Sequence, residues 1–382
     1  MNRDLTKGSI AKGLTLFALP MIAGNLLQQF YNIADTLIVG QVLGKNALAA
    51  VGSAYTLMTF FTSVFLGLSM GAGALFSIYF GKNDLESLKS SVAHALELIL
   101  SITVIVNIAI YIFFDQILLF LQIPSELYAP MKEYLIIIYS GLLATSLYNF
   151  FSCLLRSVGN SVAPLWFLGT SAILNIVLDL LFVITFNFGI AGAAAATVIS
   201  QYISGVGILI YTLLKSKIFI PKRRHFKFNK KILFEILDLS VLTCAQQSAM
   251  NFGILLVQRL VDSFGAVTMA AFAAAVKVDT FAYLPVQDFG NAFSTFVAQN
   301  YGAKQISRLK EGLKKATLLS GLFSLIISAL VFAFANPLMR IFINQSETAV
   351  IASGVKYLRI EGAFYIGIGC LFLLYGFYRA VK

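Results

Sequence analysis

The chain has 382 residues, of which 59% are hydrophobic and only 12% are charged. Soluble domains carry about 25% charged residues, so this composition excludes an ordinary soluble protein and predicts an all-α polytopic membrane protein. The net charge of +11 would suit either nucleic acid or anionic lipid, and the positions of the basic residues decide between these partners.

Apolar stretches recur along the whole chain, and each is long enough to cross a bilayer core of about 30 Å as a helix. The first stretch is too long for the apolar part of a cleavable signal peptide. We predict ten spans, which in chain order are residues 14–39, 54–80, 91–114, 133–155, 162–185, 189–214, 232–261, 267–299, 313–335 and 354–378.

Basic residues are distributed unevenly between the predicted loops. Of the 28 Lys and Arg residues, 21 precede span 1, lie in alternate loops or the adjoining first residues of span 9, or follow span 10, and three lie in the other loops. Cytoplasmic loops carry the excess of Lys and Arg in membrane proteins. The pattern therefore predicts a multi-pass protein of the plasma (inner) membrane with a cytoplasmic N-terminus. It makes the lipid bilayer the partner and excludes nucleic acid.

The sequence repeats internally. A shift of 221 residues places Gly81 on Gly302, and a shift of 223 places Arg156 on Arg379. Because six spans per copy is an even number, both copies enter the membrane from the same side. This predicts two parallel-repeat helical lobes around a central cleft.

The repeat divides the chain into three parts. We predict an N-terminal lobe with six spans at residues 1–214, a basic cytoplasmic linker at 215–231, and a C-terminal lobe at 232–382. The second copy has no counterpart of residues 160–214, so we expect four of its six spans to be present. The linker contains eight basic residues and is predicted to be a solvated loop, with binding of acidic lipid headgroups or of a nucleic acid as the alternative.

Span 1 combines a helix breaker with polar residues. Pro20 removes a backbone hydrogen bond within the span, so we predict a kink that acts as a hinge. Gln28 and Tyr31 in span 1, together with Gln246 and Gln247 in span 7, are candidates for a substrate path. The alternative is that each forms an ordinary hydrogen bond between helices.

Acidic residues at membrane depth are the strongest functional indication, because a charged side chain there costs roughly 2.5–3.5 kcal/mol on insertion scales. From the helical rise, Asp35 and Asp179 lie roughly 6 and 9 Å below the outer boundary, and Thr197 and Asn175 roughly 12 and 15 Å below it. Asn175 precedes Asp179 by one helical turn. These oxygen donors predict a site for Na⁺ or for a shared proton. The alternative is that each aspartate caps a helix or lies in a helix interface.

The second copy also carries charges at membrane depth. Span 8 contains Lys277, Asp279 and Asp288, which predicts that it lies along the aqueous cleft. Glu361 in span 10 is near Arg359 and Lys356 in sequence, and we predict a structural ion pair there.

Chemistry other than transport has little support in the sequence. The chain contains no Walker-type loop, nucleophile-elbow motif or zinc-protease motif, and its two histidines disfavour a histidine-ligated metal site. We therefore predict that it is not an enzyme and needs no cofactor or metal beyond a coupling ion.

Three segments resemble multidrug and toxic compound extrusion (MATE) transporters. They are YNIADTLIVG (31–40), LGKNALAAVG (43–52) and VQDFGNAFSTFVAQNYGA (286–303). The resemblance covers the chain from end to end. It implies two lobes of six spans each and exchange of Na⁺ or H⁺ for organic cations. The chain would then lack the last two spans.

The resemblance also assigns roles to individual residues. Some branches of the family bind a cation in the N-terminal lobe, and the matching positions are Asp35, Asn175, Asp179 and Thr197. The cavity glutamine matches Gln28. Other branches use a carboxylate in span 7, where this chain has only Asp238 near the end of the span, so a cation site in the C-terminal lobe is not expected.

Together these observations predict a secondary active antiporter, acting as a monomer, that exports organic, cationic and amphipathic compounds in exchange for Na⁺ or H⁺. One alternative is a flippase for a lipid-linked saccharide, which would require a strongly basic cavity to hold pyrophosphate. Lys277 is the main basic candidate for that role, and the adjacent Asp279 weakens it. The other alternative is a truncated, non-transporting paralogue.

Overall fold

The computed structural model describes residues 3–120 and 125–381, and the fold of these residues is helical. The α-helices are α1 (Ile10–Ile38), α2 (Lys45–Gly81), α3 (Leu85–Ile112), α4 (Phe114–Phe120), α5 (Ser125–Ser140), α6 (Leu142–Ser157), α7 (Val162–Asp179), α8 (Gly189–Lys215), α9 (Lys230–Asp262), α10 (Ala266–Gly302), α11 (Ile306–Phe342), α12 (Thr348–Gly362) and α13 (Tyr365–Ala380).

The described residues contain eight helices that are long and apolar enough to cross a membrane. Two further spans result if each bent pair counts as one, namely α5 with α6, bent by 43°, and α12 with α13, bent by 51°. This total of ten agrees with the number of predicted spans, and the protein is a multi-span membrane protein. The division into lobes of six and four spans stays a prediction.

The backbone conformation repeats at equivalent positions of the two sequence copies. Gly44 before α2 and Gly265 before α10 have φ angles of 84° and 89°. Asn83 after α2 and Lys304 after α10 have φ angles of 56° and 57°. Positive φ is uncommon for residues other than glycine. The same turn therefore starts and ends the long helix of each copy.

These two long helices cross where they end. A Cβ atom at Gly81 would overlap the backbone of Gln299, and one at Gly302 would overlap the backbone of Ile78. Only glycine allows two helix backbones to approach so closely. The crossing packs the two halves of the protein together at the face that carries the N-terminal segment, called here the N-terminal face.

The N-terminal segment, Arg3–Ser9, spans this crossing. The Arg3 amide donates to the Gly159 carbonyl at 2.9 Å in the first half of the chain. The Leu5 amide donates to Gln299 Oε1 at 3.1 Å, and the Leu5 carbonyl accepts from Arg308 Nη2 at 3.1 Å in the second half. With Leu5 only 3% exposed, the segment is part of the packed structure at this face.

The basic linker is not a fully solvated loop, so that prediction is wrong in part. Two short 3₁₀ turns, Lys217–Phe219 and Arg223–Phe226, bury Phe219 and His225. His225 Nδ1 accepts from the Lys222 amide at 2.7 Å, so Nε2 carries the proton that it donates to Glu86 at 3.1 Å. The apolar and imidazole side chains within the basic run dock it onto α3.

Replacing Gly81 with alanine tests the helix crossing. Overpacking costs roughly 1–3 kcal/mol, so Gly81→Ala should shift the protein toward an arrangement open at the N-terminal face. Cys153, which is buried, should then react faster with a maleimide applied from that face, in a background without Cys244 and Cys370. Gly321→Ala is the control, because no atom lies within 4 Å of a Cβ there. Equal labelling rates in both variants would contradict the prediction.

Acidification should release the linker. Hydrogen bonding from His225, with the Arg224 charge, holds the pKa of Glu86 below its usual value. The contact therefore stabilises the docked linker above the ordinary carboxyl pKa and is lost as the pH falls through the lowered one. Glu86→Gln should raise hydrogen exchange in residues 222–229 already at neutral pH. Glu311→Gln, which breaks a similar exposed pair with Lys315, should leave that exchange unchanged.

Candidate cation site and central cavity

Two aspartates from different helices meet inside the first half of the protein. Asp35 lies on α1 and Asp179 on the last turn of α7, and their side chains are within hydrogen-bonding distance of each other. Asp179 is fully buried. Two neighbouring buried carboxylates repel each other strongly, so the pair requires a proton or a cation between them.

Asn175 and Thr197 complete the cluster. Oriented so that its nitrogen faces the carboxylate, the Asn175 amide donates to Asp179 Oδ2 at 3.1 Å and accepts from the Thr197 hydroxyl at 3.2 Å. Asn175 is 2% exposed and Thr197 on α8 is 8% exposed. The structure thus brings together all four predicted residues, from three helices.

Both helices that carry the aspartates change geometry just beyond them. A π-helical segment, Val39–Leu43, follows Asp35 by one turn, and another, Leu180–Thr185, follows Asp179 directly. The two segments contact each other. Single π-helical turns often occur at functional sites, and sequence periodicity gave no sign of them.

The cluster offers free oxygen ligands. Asp35 Oδ1 and Asp179 Oδ1 are both buried without a hydrogen-bond partner, which is costly unless a ligand satisfies them. Among the described residues there is no group of three or more His, Cys, Asp or Glu side chains that could hold a metal ion. The oxygen donors of two carboxylates, an amide and a hydroxyl suit a hard cation or a proton better than a soft transition metal.

A cavity of about 400 Å³ lies between the two halves of the protein. Its walls come from helices of both halves, and it contains all four residues predicted for the substrate path, namely Gln28, Tyr31, Gln246 and Gln247. Tyr55 also lines the cavity and is 50% exposed. Cys153 and Arg379 line the end of the cavity near the α2–α10 crossing and are only 9% and 7% exposed, so the cavity is closed at that end and opens toward Tyr55.

Tyr31 connects the cavity with the acidic cluster. It lines the cavity, hydrogen-bonds with Gln28, and interacts electrostatically with Asp35 and Asp179. Gln28, Tyr31 and Asp35 follow one another at intervals of three and four residues, so they share one face of α1. Pro20 lies within the same helix, which continues through it; its role as a hinge stays a prediction.

Polar contacts that no sequence pattern indicated cross the cavity. Asn25 on α1 donates to both carboxylate oxygens of Asp288 on α10, at 2.7 and 2.8 Å. Arg379 on α13 donates to Asn291 Oδ1 at 3.1 Å and to Gln246 Oε1 at 3.4 Å. The partners of the Asn25 contact are 263 residues apart, so no local pattern could have indicated them.

The prediction that span 8 lies along the aqueous cleft is confirmed, because Gln287, Asp288 and Asn291 of α10 line the cavity. Lys277 of the same helix lies outside the cavity and is exposed, with its Nζ over the Phe342 ring.

The prediction of a structural ion pair at Glu361 is wrong. Among the described residues, Glu361 forms no ion pair with Arg359 or Lys356. It hydrogen-bonds with Tyr357 and lies near Asp279 instead, while Arg359 stacks over Phe332.

The sequence of this chain matches a known protein family. The family model of MatE matches residues 20–181 and 242–382. The chain belongs to the MatE family. Members of this family are transporters, which supports the prediction that the chain is not an enzyme.

The relatives of this MatE protein extend over nearly its whole length. The probable multidrug resistance protein YpnP of Bacillus subtilis is 30% identical over 99% of this chain and 84% of its own length. The multidrug export protein MepA of Staphylococcus aureus is 23% identical over 96% of this chain and 81% of its own length. An outward-facing multidrug resistance MATE family transporter of the MOP superfamily superposes with a TM-score of 0.92 at 22% identity, covering 99% of this chain and 85% of that one. This last likeness confirms the fold.

Binding of a coupling ion at the cluster should stabilise the protein against heat. A ligand at 100 times its Kd adds about 2.7 kcal/mol of stability, so we expect the Tm to rise with Na⁺ at constant ionic strength, or with acidification if the ion is a proton. Asp179→Asn should abolish the rise, because it removes one ligating charge.

Asp115→Asn is the matched control for this experiment. Asp115 lies at the periphery, where it pairs with Lys132 at 2.6 Å, and its replacement should leave the dependence of the Tm on Na⁺ or pH intact. A wild-type rise in the Asp179→Asn protein would show that the ion binds elsewhere.

Proposed function

We propose that this MatE protein is a multidrug efflux transporter of the plasma membrane. It acts as a monomer with a cytoplasmic N-terminus and exports organic, cationic and amphipathic compounds in exchange for Na⁺ or H⁺. The names of YpnP and MepA support multidrug efflux. The observation that carries the coupling is that α1 holds both cavity residues and one member of the acidic pair.

In this mechanism, the ion enters from outside and binds between Asp35 and Asp179. Neutralising the pair removes the repulsion between α1 and α7 and allows them to pack more closely. Tyr31 and Gln28 lie one and two turns from Asp35 on the same helix, so a movement of α1 changes the cavity wall that they form. The substrate is released as its contacts with this wall are lost.

The direction of exchange follows from affinities. An ion drives the change only if it binds one arrangement of α1 more tightly than the other. Substrate must favour the opposite arrangement, so that ion and substrate exclude each other. Pro20 supports this proposal, because a helix without one backbone hydrogen bond bends there at lower cost.

A flippase for a lipid-linked saccharide is the second candidate. Lys277, the basic residue weighed for it in the sequence, lies outside the cavity, but Arg156 and Arg379 line it. This basic character favours a ligand with an anionic group. Dependence of transport on a saccharide diphosphate rather than on an organic cation would support the flippase.

Efflux measurements on proteoliposomes test the coupling. Asp35→Asn and Asp179→Asn should each reduce Na⁺- or H⁺-driven efflux of a cationic dye by about tenfold or more, since each loses a charge-assisted contact of about 1.5–3 kcal/mol. Binding of the dye itself should stay near the wild-type level, because neither aspartate lines the cavity.

Three results would count against the proposed function or its ion site. Wild-type coupling in both variants would remove the cluster from the mechanism. Loss of coupling in Asp279→Asn alone would move the ion site to the second half, where Asp279 lies near Glu361. The absence of any efflux by the wild-type protein would favour the non-transporting paralogue.

A further inference from the structure

Two arginines that the internal repeat relates to each other line the same cavity. Arg156 lies in the last turn of α6 and Arg379 in the last turn of α13. Their separation of 223 residues equals the offset between α6 and α13 themselves. Both lie within electrostatic range of the Cys153 side chain, at the closed end of the cavity near Gly159 and the N-terminal face.

The cavity does not neutralise these two charges. Among the residues that line it, Asp288 is the one carboxylate and the two arginines are the basic side chains, so the lining has a formal charge of +1. None of the ion pairs in the described part of the chain involves Arg156 or Arg379. Asp288 is within electrostatic range of Arg156, but Asn25 occupies both of its oxygens.

Both guanidinium groups also have free donors. The Nε atoms of Arg156 and Arg379 are buried without a hydrogen-bond partner. The Arg379 side chain as a whole is only 7% exposed. The partners of the Arg379 Nη atoms are neutral amide oxygens. A buried guanidinium held only by neutral groups is costly, and its planar fork matches a carboxylate or phosphate.

We propose that Arg156 and Arg379 form a subsite for an oxyanion, a carboxylate or phosphate, on an amphipathic substrate. The apolar part of such a molecule would contact the Met21, Met70 and Phe372 side chains that line the same cavity. This inference rests on the proposed efflux function and refines its substrate class to compounds that carry an oxyanion as well as a cation. Because each half contributes one arginine, the bound group bridges the two halves at the closed end.

A pair of matched dyes tests the subsite with the purified full-length chain. Rhodamine B carries a cationic ring system and a free carboxylate, and its ethyl ester lacks the carboxylate charge. Fluorescence polarisation should show that the wild type binds rhodamine B about tenfold more tightly than the ester, the effect expected of a charge-assisted hydrogen bond. Arg156→Gln and Arg379→Gln should each lose most of this preference while ester binding stays unchanged.

Control variants separate recognition from folding. Arg340→Gln removes a charge outside the cavity and should keep the wild-type preference. Arg379→Lys keeps the charge without the fork and should retain part of the preference, even if Arg379→Gln does not fold. Equal binding of both dyes by the wild type would overturn the proposal, as would an unchanged preference in both glutamine variants.

Competition identifies the source of the oxyanion. Displacement of rhodamine B by inorganic phosphate would support a free anion, and displacement only by dihexanoylphosphatidylcholine would support a phospholipid headgroup. The Asp35→Asn protein should keep the dye preference although it loses ion-driven efflux. Failure of the oxyanion subsite can therefore be distinguished from failure of the proposed ion-coupled efflux.

Discussion

Two carboxyl groups that share one buried space cannot both remain charged without a proton or a cation between them. Asp35 and Asp179 impose this condition on the first half of the protein. Asn175 and Thr197 add neutral oxygens, and the contacting π-helical segments end both helices just beyond the pair. In the proposed mechanism, the position of α1 against α7 depends on what occupies the pair.

Helix α1 contributes side chains to both the acidic cluster and the central cavity. Asp35 faces the acidic cluster, while Asn25 contacts Asp288 across the cavity. A small displacement of this helix therefore alters contacts in both halves of the molecule. The ion and the substrate need no shared ligand to influence each other, which is what an exchanger with separate sites requires.

The sequence predicted the features that depend on local patterns or on strong energetic penalties. Apolar length predicted ten spans, and the high cost of Asp35 and Asp179 at membrane depth indicated that they belong together. Contacts between distant segments escaped prediction, because the Asn25–Asp288 bond and the burial of His225 against Glu86 depend on tertiary packing. Glu361 shows the same limit, since its neighbour in sequence, Arg359, points to Phe332 instead.

The internal repeat explains why some features could be found twice. Gly81 and Gly302, as well as Arg156 and Arg379, occupy matching places in the two halves. Asp279 and Glu361 also lie near each other, but on α10 and α12, which do not correspond to α1 and α7. The repeat therefore relates the helix crossing and the two cavity arginines, but it does not relate these two acidic pairs.

The N-terminal segment fastens both halves at one face through the Arg3 and Leu5 amides. A transport cycle that opens the cavity at the N-terminal face must first detach the N-terminal segment and expose Leu5 to water. In the proposed transport cycle, residues 3–9 thereby contribute to the barrier between the two states. Acetylation, trimming or an affinity tag at the amino terminus would change the turnover rate from a position remote from both the ion and the cargo.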